Sequence, residues 1–246
     1  MNKDEFVFGT RAVIEAIKTN RHIDKIFLKK GLNNELSQEL FQLIREEQIQ
    51  FQFVPLEKIN RITRKNHQGV LALLSPIEYH NIETLLPGIY ESGKDPLILI
   101  LDQVTDVRNF GAIVRSAECA GVNAIVIPEK GTARIGGDAV KTSAGAIHHV
   151  PICKVQGLAK TIKFLKDSGI KIIAATEKAN TIYSDSKLHM PLAIVMGSED
   201  TGISNSILQL TDEQLTIPIL GKIESLNVSV AAAIIMYEAV RQRSQL

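Results

Sequence analysis

Leu97-Ile98-Leu99-Ile100-Leu101-Asp102-Gln103-Val104-Thr105-Asp106 is the stretch on which the fold turns. Its aliphatic run leaves no polar face, so it suits a strand buried on both sides rather than one with a face in water. Similar runs recur at 124–127, 170–175 and 192–196. Between them, apolar residues at helical spacing cover 112–120 and 158–166, and an apolar helix is expected over 228–241. Buried strands alternating with helices predict an α/β domain whose parallel sheet is covered on both faces. Ligands of such sheets bind beyond the carboxyl ends of the strands, so the chemistry is to be sought there.

Upstream of Leu97 the pattern changes. Residues 76–95 hold Pro76, Pro87, Gly88 and Gly93 without sustained periodicity and read as a linker. Residues 1–75 read as a smaller α/β unit, with helical spacing at Ala12, Ile14 and Ile17 and again at Leu36, Leu40 and Leu43. Strands are expected over 23–28, 49–54 and 70–74. The expected organisation is therefore a small α/β domain at 1–75, a linker at 76–95, and a larger α/β domain at 96–246.

The chain has 246 residues and a net charge of +1, which does not announce a nucleic-acid binder. Residues 1–75 carry 12 Lys+Arg against 9 Asp+Glu, and their basic cluster Arg61, Arg64, Lys65 and His67 suits either phosphate contacts or a solvated loop. No run is long enough for a membrane span, the N-terminus lacks an export signal's apolar core, and the two cysteines cannot frame a disulfide network. The expected location is a reducing cytoplasm, with no membrane partner.

Four strand ends carry unusual sequence. After the first comes Asn109, near a helix start, with Arg115 two turns on. Arg115 suits a bidentate grip on phosphate or an i,i+3 pair with Glu118, and the sequence leaves both open. Gly197-Ser198-Glu199-Asp200-Thr201-Gly202 resembles a P-loop only in its glycines: Ile203 replaces the lysine, and two acids would repel a polyphosphate. A plain turn with a helix cap is the other reading. Dinucleotide binding fails, because no two glycines are separated by one residue. Ile217 to Gly221 and Glu224 to Val230 follow, the latter with Ser225, Asn227 and Ser229 ahead of a helix, more polar groups than capping requires. His148 and His149 lack a nearby carboxylate, so no metal is expected. Lys141 and Ser143 suit a ligand-facing surface or plain solvent.

Taken together and in order, N-F-G-A-I-V-R-S-A (from Asn109), G-S-E-D-T-G (from Gly197) and I-P-I-L-G-K-I-E-S-L-N-V-S-V-A (from Ile217) resemble the three motifs of one family. It is the SpoU or TrmH group of SPOUT-class RNA ribose 2′-O-methyltransferases. F-G-T-R-A-V-I-E-A-I (from Phe8) and H-Q-G-V-L-A (from His67) resemble the RNA-binding domain that precedes the catalytic domain in many members.

The resemblance implies a small domain folded like ribosomal protein L-thirty-e, then a SPOUT domain with a deep trefoil knot. It implies S-adenosylmethionine as cofactor, held at Thr176, Gly197, Ile217 and Leu226, and a homodimer whose RNA sites draw on both subunits. The catalytic set it implies is Arg115, assisted by Asn109, Glu199, Ser225 and Asn227, with Arg115 either holding phosphate or itself accepting the 2′-hydroxyl proton. It implies RNA contacts at Arg61, Arg64, Lys65 and His67. The nearest likeness is to members that methylate a guanosine ribose of large-subunit (23S) ribosomal RNA. A transfer-RNA methylase and a non-catalytic ribosome-assembly factor are the alternatives, and the intact motif residues weigh against the latter.

Overall fold

The structure, a computed structural model, describes residues 6–47 and 49–245. The chain forms two compact units, 1–78 and 79–246. The first contains β1 (Phe6–Phe8), α1 (Thr10–Lys18), β2 (Ile23–Lys29), α2 (Glu35–Glu46), β3 (Phe51–Val54), α3 (Leu56–Ile62) and β4 (Val70–Leu74). Its sheet runs β1-β4-β2-β3, with β4 antiparallel to both neighbours and β2 parallel to β3. Side chains alternate across the strands, so Ile26 and Leu28 pack with Val13, Ile17 and Leu40 of α1 and α2 on one face. Phe27 and Leu71 meet Ile59 of α3 on the other.

The second unit contains β5 (Tyr79–His80), α4 (Ile82–Glu91), β6 (Leu97–Leu101), α5 (Val107–Cys119), β7 (Ala124–Pro128), α6 (Gly137–Thr142), β8 (Ile152–Val155), α7 (Leu158–Asp167), β9 (Lys171–Ala175), β10 (Thr181–Ile182), β11 (Leu192–Met196), α8 (Asn205–Leu208), β12 (Glu213–Thr216) and α9 (Val228–Arg243). All its strand pairings are parallel, in the order β10-β12-β9-β11-β6-β7-β8-β5. Every residue of β6 and β11 is buried, as a strand covered on both faces requires. Ile98 and Ile100 face a core shared with α4, α7 and α8, while α5 and α9 pack together, α9 also touching β9 and β11. From β6 the chain builds outward to β7 and β8, then returns to place β11 on its other side. The order therefore reverses between β6 and β11, and a crevice at such a reversal is where open sheets bind ligands.

The stretch read as a linker contains β5 and α4 instead. Asn81 caps α4 by accepting from Glu83 N–H at 2.8 Å, and Ile82, Leu86 and Ile89 at i, i+4 and i+7 enter the main core. Pro87 and Gly88 lie inside this helix and hid its period. The consequence is measurable. A chain beginning at Asp95 loses three buried side chains worth about 2 kcal/mol each, against a net domain stability of about 5–15 kcal/mol. It should be insoluble or show no cooperative melt by circular dichroism, whereas a chain beginning at Pro76 should melt cooperatively.

Candidate active site at the reversal of the sheet

Three strand ends and the start of α9 converge on one cavity of about 290 Å³. Thr176 follows β9, Gly197 follows β11, Ile217 follows β12, and Ser225 and Leu226 precede α9; all line it, as does Glu199. The loop after β11 is a closed turn. Ser198 and Gly202 exchange backbone hydrogen bonds at 3.1 and 3.0 Å, and Ser198 Oγ accepts from Thr201 N–H at 3.1 Å. This presents Glu199 and Asp200 at its exposed tip. Gly197 permits the closure: a Cβ there would lie 2.1 Å from the Gly202 carbonyl carbon. The helix-cap reading of this loop does not hold, since α8 begins later, at Asn205, and Ser204 makes no side-chain cap.

Asp102 anchors the loop from below. It is 5% exposed, and its carboxylate accepts from Ser204 N–H at 2.8 Å, tying the end of β6 to the start of α8. Sequence reasoning passed over this residue, although an acid directly after a buried strand was a usable signal. Asp106 was also missed; it caps α5 by accepting from the N–H groups of Arg108 and Asn109 at 2.7 and 2.9 Å. Gly111 lets α5 and α6 close on each other, since a Cβ there would fall 2.0 Å from Thr142 Oγ1.

The three motifs meet at Asn227, the cap of α9. Its Oδ1 accepts from Ser229 N–H at 2.9 Å and from Ser229 Oγ at 2.6 Å. A backbone N–H can only donate, so the orientation of the Asn227 amide is fixed, with Nδ2 on the opposite side. Nδ2 donates to Asn109 Oδ1 at 3.0 Å and to Glu199 Oε1. Asn109 must therefore turn its oxygen toward Asn227, which leaves its own NH₂ group without a partner among the described residues. The Asn227 amide is saturated by these bonds and holds its neighbours in place.

Arg115 is exposed on α5 and makes no ion pair or hydrogen bond among the described residues, so the pair with Glu118 does not form. It does not line the cavity. His148 ends a single 3-10 turn, Ala146–His148, rather than lying on a strand, and it and His149 are exposed. Among the described residues no cluster of three or more His, Cys, Asp or Glu is placed to hold a metal. No described helix is long and apolar enough to cross a membrane. Burial pushes the Cys153 thiol up to about 12, which makes it inert as a nucleophile at neutral pH.

The sequence profile of the SpoU rRNA methylase family matches residues 96–237. The chain belongs to the SpoU rRNA methylase family. A second profile, described as RNA 2′-O ribose methyltransferase substrate binding, matches residues 6–80, so SpoU-type sequence spans both units. Among relatives, YacO of Bacillus subtilis, named for the TrmH family of tRNA/rRNA methyltransferases, is 34% identical over 98% of this chain and 96% of its own. A Staphylococcus epidermidis protein named for the same family is 38% identical over 99% and 98%. Among solved structures, the A. aeolicus TrmH/SpoU tRNA modifying enzyme is 31% identical over 67% of this chain and 85% of its own, with a TM-score of 0.57. AviRb of Streptomyces viridochromogenes, solved with AdoMet, shares the fold at a TM-score of 0.63 and 22% identity, over 98% and 91%.

Proposed function

We propose that this protein transfers a methyl group from S-adenosylmethionine to a ribose 2′-hydroxyl of RNA, and that the substrate is a guanosine of 23S ribosomal RNA. The observation that carries the reading is the junction at Asn227. One amide joins Asn109, Glu199 and Ser229, residues of all three motifs, beside a cavity at the carboxyl ends of β9, β11 and β12. A SpoU-type profile over both units supports RNA as the substrate.

The cavity fits the cofactor. Ile217 and Leu226 offer apolar surface, Thr176 a hydroxyl, and the Gly197 turn its backbone. The acids Glu177, Glu199, Asp200 and Glu224 outnumber Lys178 on the lining, which suits a cation and would oppose a polyphosphate. When bound, S-adenosylmethionine supplies an electrophilic sulfonium methyl group. The chain's own residues then position and activate the hydroxyl. Arg115 grips the neighbouring phosphate with its planar fork and lowers the effective pKa of O2′. The NH₂ of Asn109 donates to an RNA oxygen, Glu199 sits within reach of the same space, and Ser225 completes the rim. Asn227 acts through Asn109 and Glu199.

Arg61, Arg64 and Lys65 in the first unit are exposed and serve RNA phosphates. A second copy of the chain covers α9, where Val230 and Tyr237 are 48% and 49% exposed, giving a cytoplasmic homodimer. A transfer-RNA substrate is the second reading, favoured by the 31% identity to the tRNA modifying enzyme. A separate unit ahead of the catalytic one favours the larger ribosomal substrate.

Titration calorimetry should show S-adenosylmethionine binding in the presence of a chelator, and Gly197→Ala should weaken it at least tenfold by forcing the turn open. Ribose-methylation mapping in ribosomal and transfer RNA, from cells with and without the protein, assigns the substrate. A folded protein that binds no cofactor would sink the reading.

A further inference from the structure

The first unit holds a recess of about 330 Å³ at one end of its sheet, at the small end of the range that ligand clefts occupy. It is lined by Lys29 from the end of β2, Leu32 from the turn beyond, Leu56 from the start of α3, and Lys65, Asn66 and Gln68 from the loop before β4. No lining residue is acidic. Two ammonium groups, two side-chain amides and two leucines thus share one concavity, although they come from three separate stretches of sequence.

The loop that shapes the recess is fixed from within. His67 is 7% exposed; its Nδ1 accepts from Gly69 N–H at 3.0 Å, and its Nε2 lies 2.8 Å from Asn60 Oδ1. Gly69 N–H can only donate, so Nδ1 carries no proton and Nε2 donates to Asn60. Both ring nitrogens are engaged within the loop, which makes the ring scaffold rather than the phosphate contact expected from sequence. Gly69, at φ +79, brings the loop onto β2: a Cβ there would stand 2.8 Å from Lys29 Cβ, and Lys29 N–H donates to Gly69 O at 2.8 Å. Gln68 is different. It is exposed yet held at φ +53, in the left-handed region that a non-glycine side chain disfavours, and such outliers gather at ligand clamps.

We propose that this recess binds one unpaired nucleotide of the RNA substrate, with its phosphate between Lys29 and Lys65, its base against Leu32 and Leu56, and the amides of Asn66 and Gln68 on the base edge. This rests on the RNA reading above and names where the first unit takes its substrate. An unpaired nucleotide offers an anion, an apolar face and a hydrogen-bonding edge together. A duplex stacks its bases and pairs their edges, and so hides the last two. Because the loop is already ordered, little conformational freedom is lost on binding.

The full-length protein is tested by fluorescence anisotropy against a stem-loop RNA and a blunt duplex of equal length. Lys29→Ala/Lys65→Ala should weaken stem-loop binding about tenfold, leave the duplex nearly unaffected, and flatten the logarithmic salt slope by about one. Gln68→Gly separates binding from folding: it relieves the left-handed residue and should hold or raise the thermal midpoint while weakening the stem-loop several-fold. Unchanged stem-loop affinity and slope in both variants, with a wild-type protein that still methylates RNA, would overturn the recess and leave the enzymatic reading standing. A wild-type protein that methylates no RNA would remove both.

Discussion

Replacing Arg115 by alanine is expected to lower single-turnover methyl transfer by about 10²–10³, the loss typical when one preorganised electrostatic group is removed from a reacting centre. Arg115 stands exposed on α5 with no acid neutralising it among the described residues, although Glu118 lies only three positions away. An unpaired guanidinium retains its full donor set for an incoming phosphate. Because Arg115 does not line the cavity, cofactor affinity should stay close to that of the parent. Arg115→Lys keeps the charge but loses the planar fork, so rescue should be poor. The check is rapid-quench transfer from labelled cofactor alongside calorimetry. Near-parental transfer by Arg115→Ala would mean that α5 contributes no phosphate grip.

The strands of the second unit were legible because burial on both faces removes polar residues altogether, and β6 and β11 carry that signature without interruption. Their order was not, since nothing local says that β11 lies beside β6 rather than beyond β12. The helix α4 was missed because Pro87-Gly88 is a breaker signal, and only packing shows that three core side chains outweigh it. In the first unit α3 was missed for want of length, and Arg61 proves to sit on its last turn. At the active site, sequence could propose Asn109, Glu199 and Asn227 as a set but not their division of labour. That follows from one backbone N–H, Ser229, which fixes which way the amides of Asn227 and Asn109 face. His67 shows the limit most plainly: within a basic cluster it looked like a phosphate ligand, and burial makes it a brace.

The same logic yields a test at Asn227. Asn227→Asp keeps an oxygen for Ser229 N–H, and aspartate caps helices as well as asparagine, so the start of α9 should hold. What changes is the other side of the side chain. The group that donated to Glu199 and Asn109 becomes a second carboxylate oxygen, facing one carboxylate and one amide oxygen. A hydrogen bond to a charged group is worth about 1.5–3 kcal/mol, so methyl transfer should fall by about 10- to 100-fold at neutral pH. Two carboxylates in contact cannot both stay ionised cheaply, and one takes up a proton as pH falls. The shared proton restores a donor between them, so the ratio of variant to wild-type rate should climb on the acid side. Asn227→Ala has no such group and should be slow at every pH, with a slightly lower melting temperature from the lost cap. A flat rate ratio for Asn227→Asp across the pH range would show that its amide does not hold Glu199 and Asn109 for the reaction.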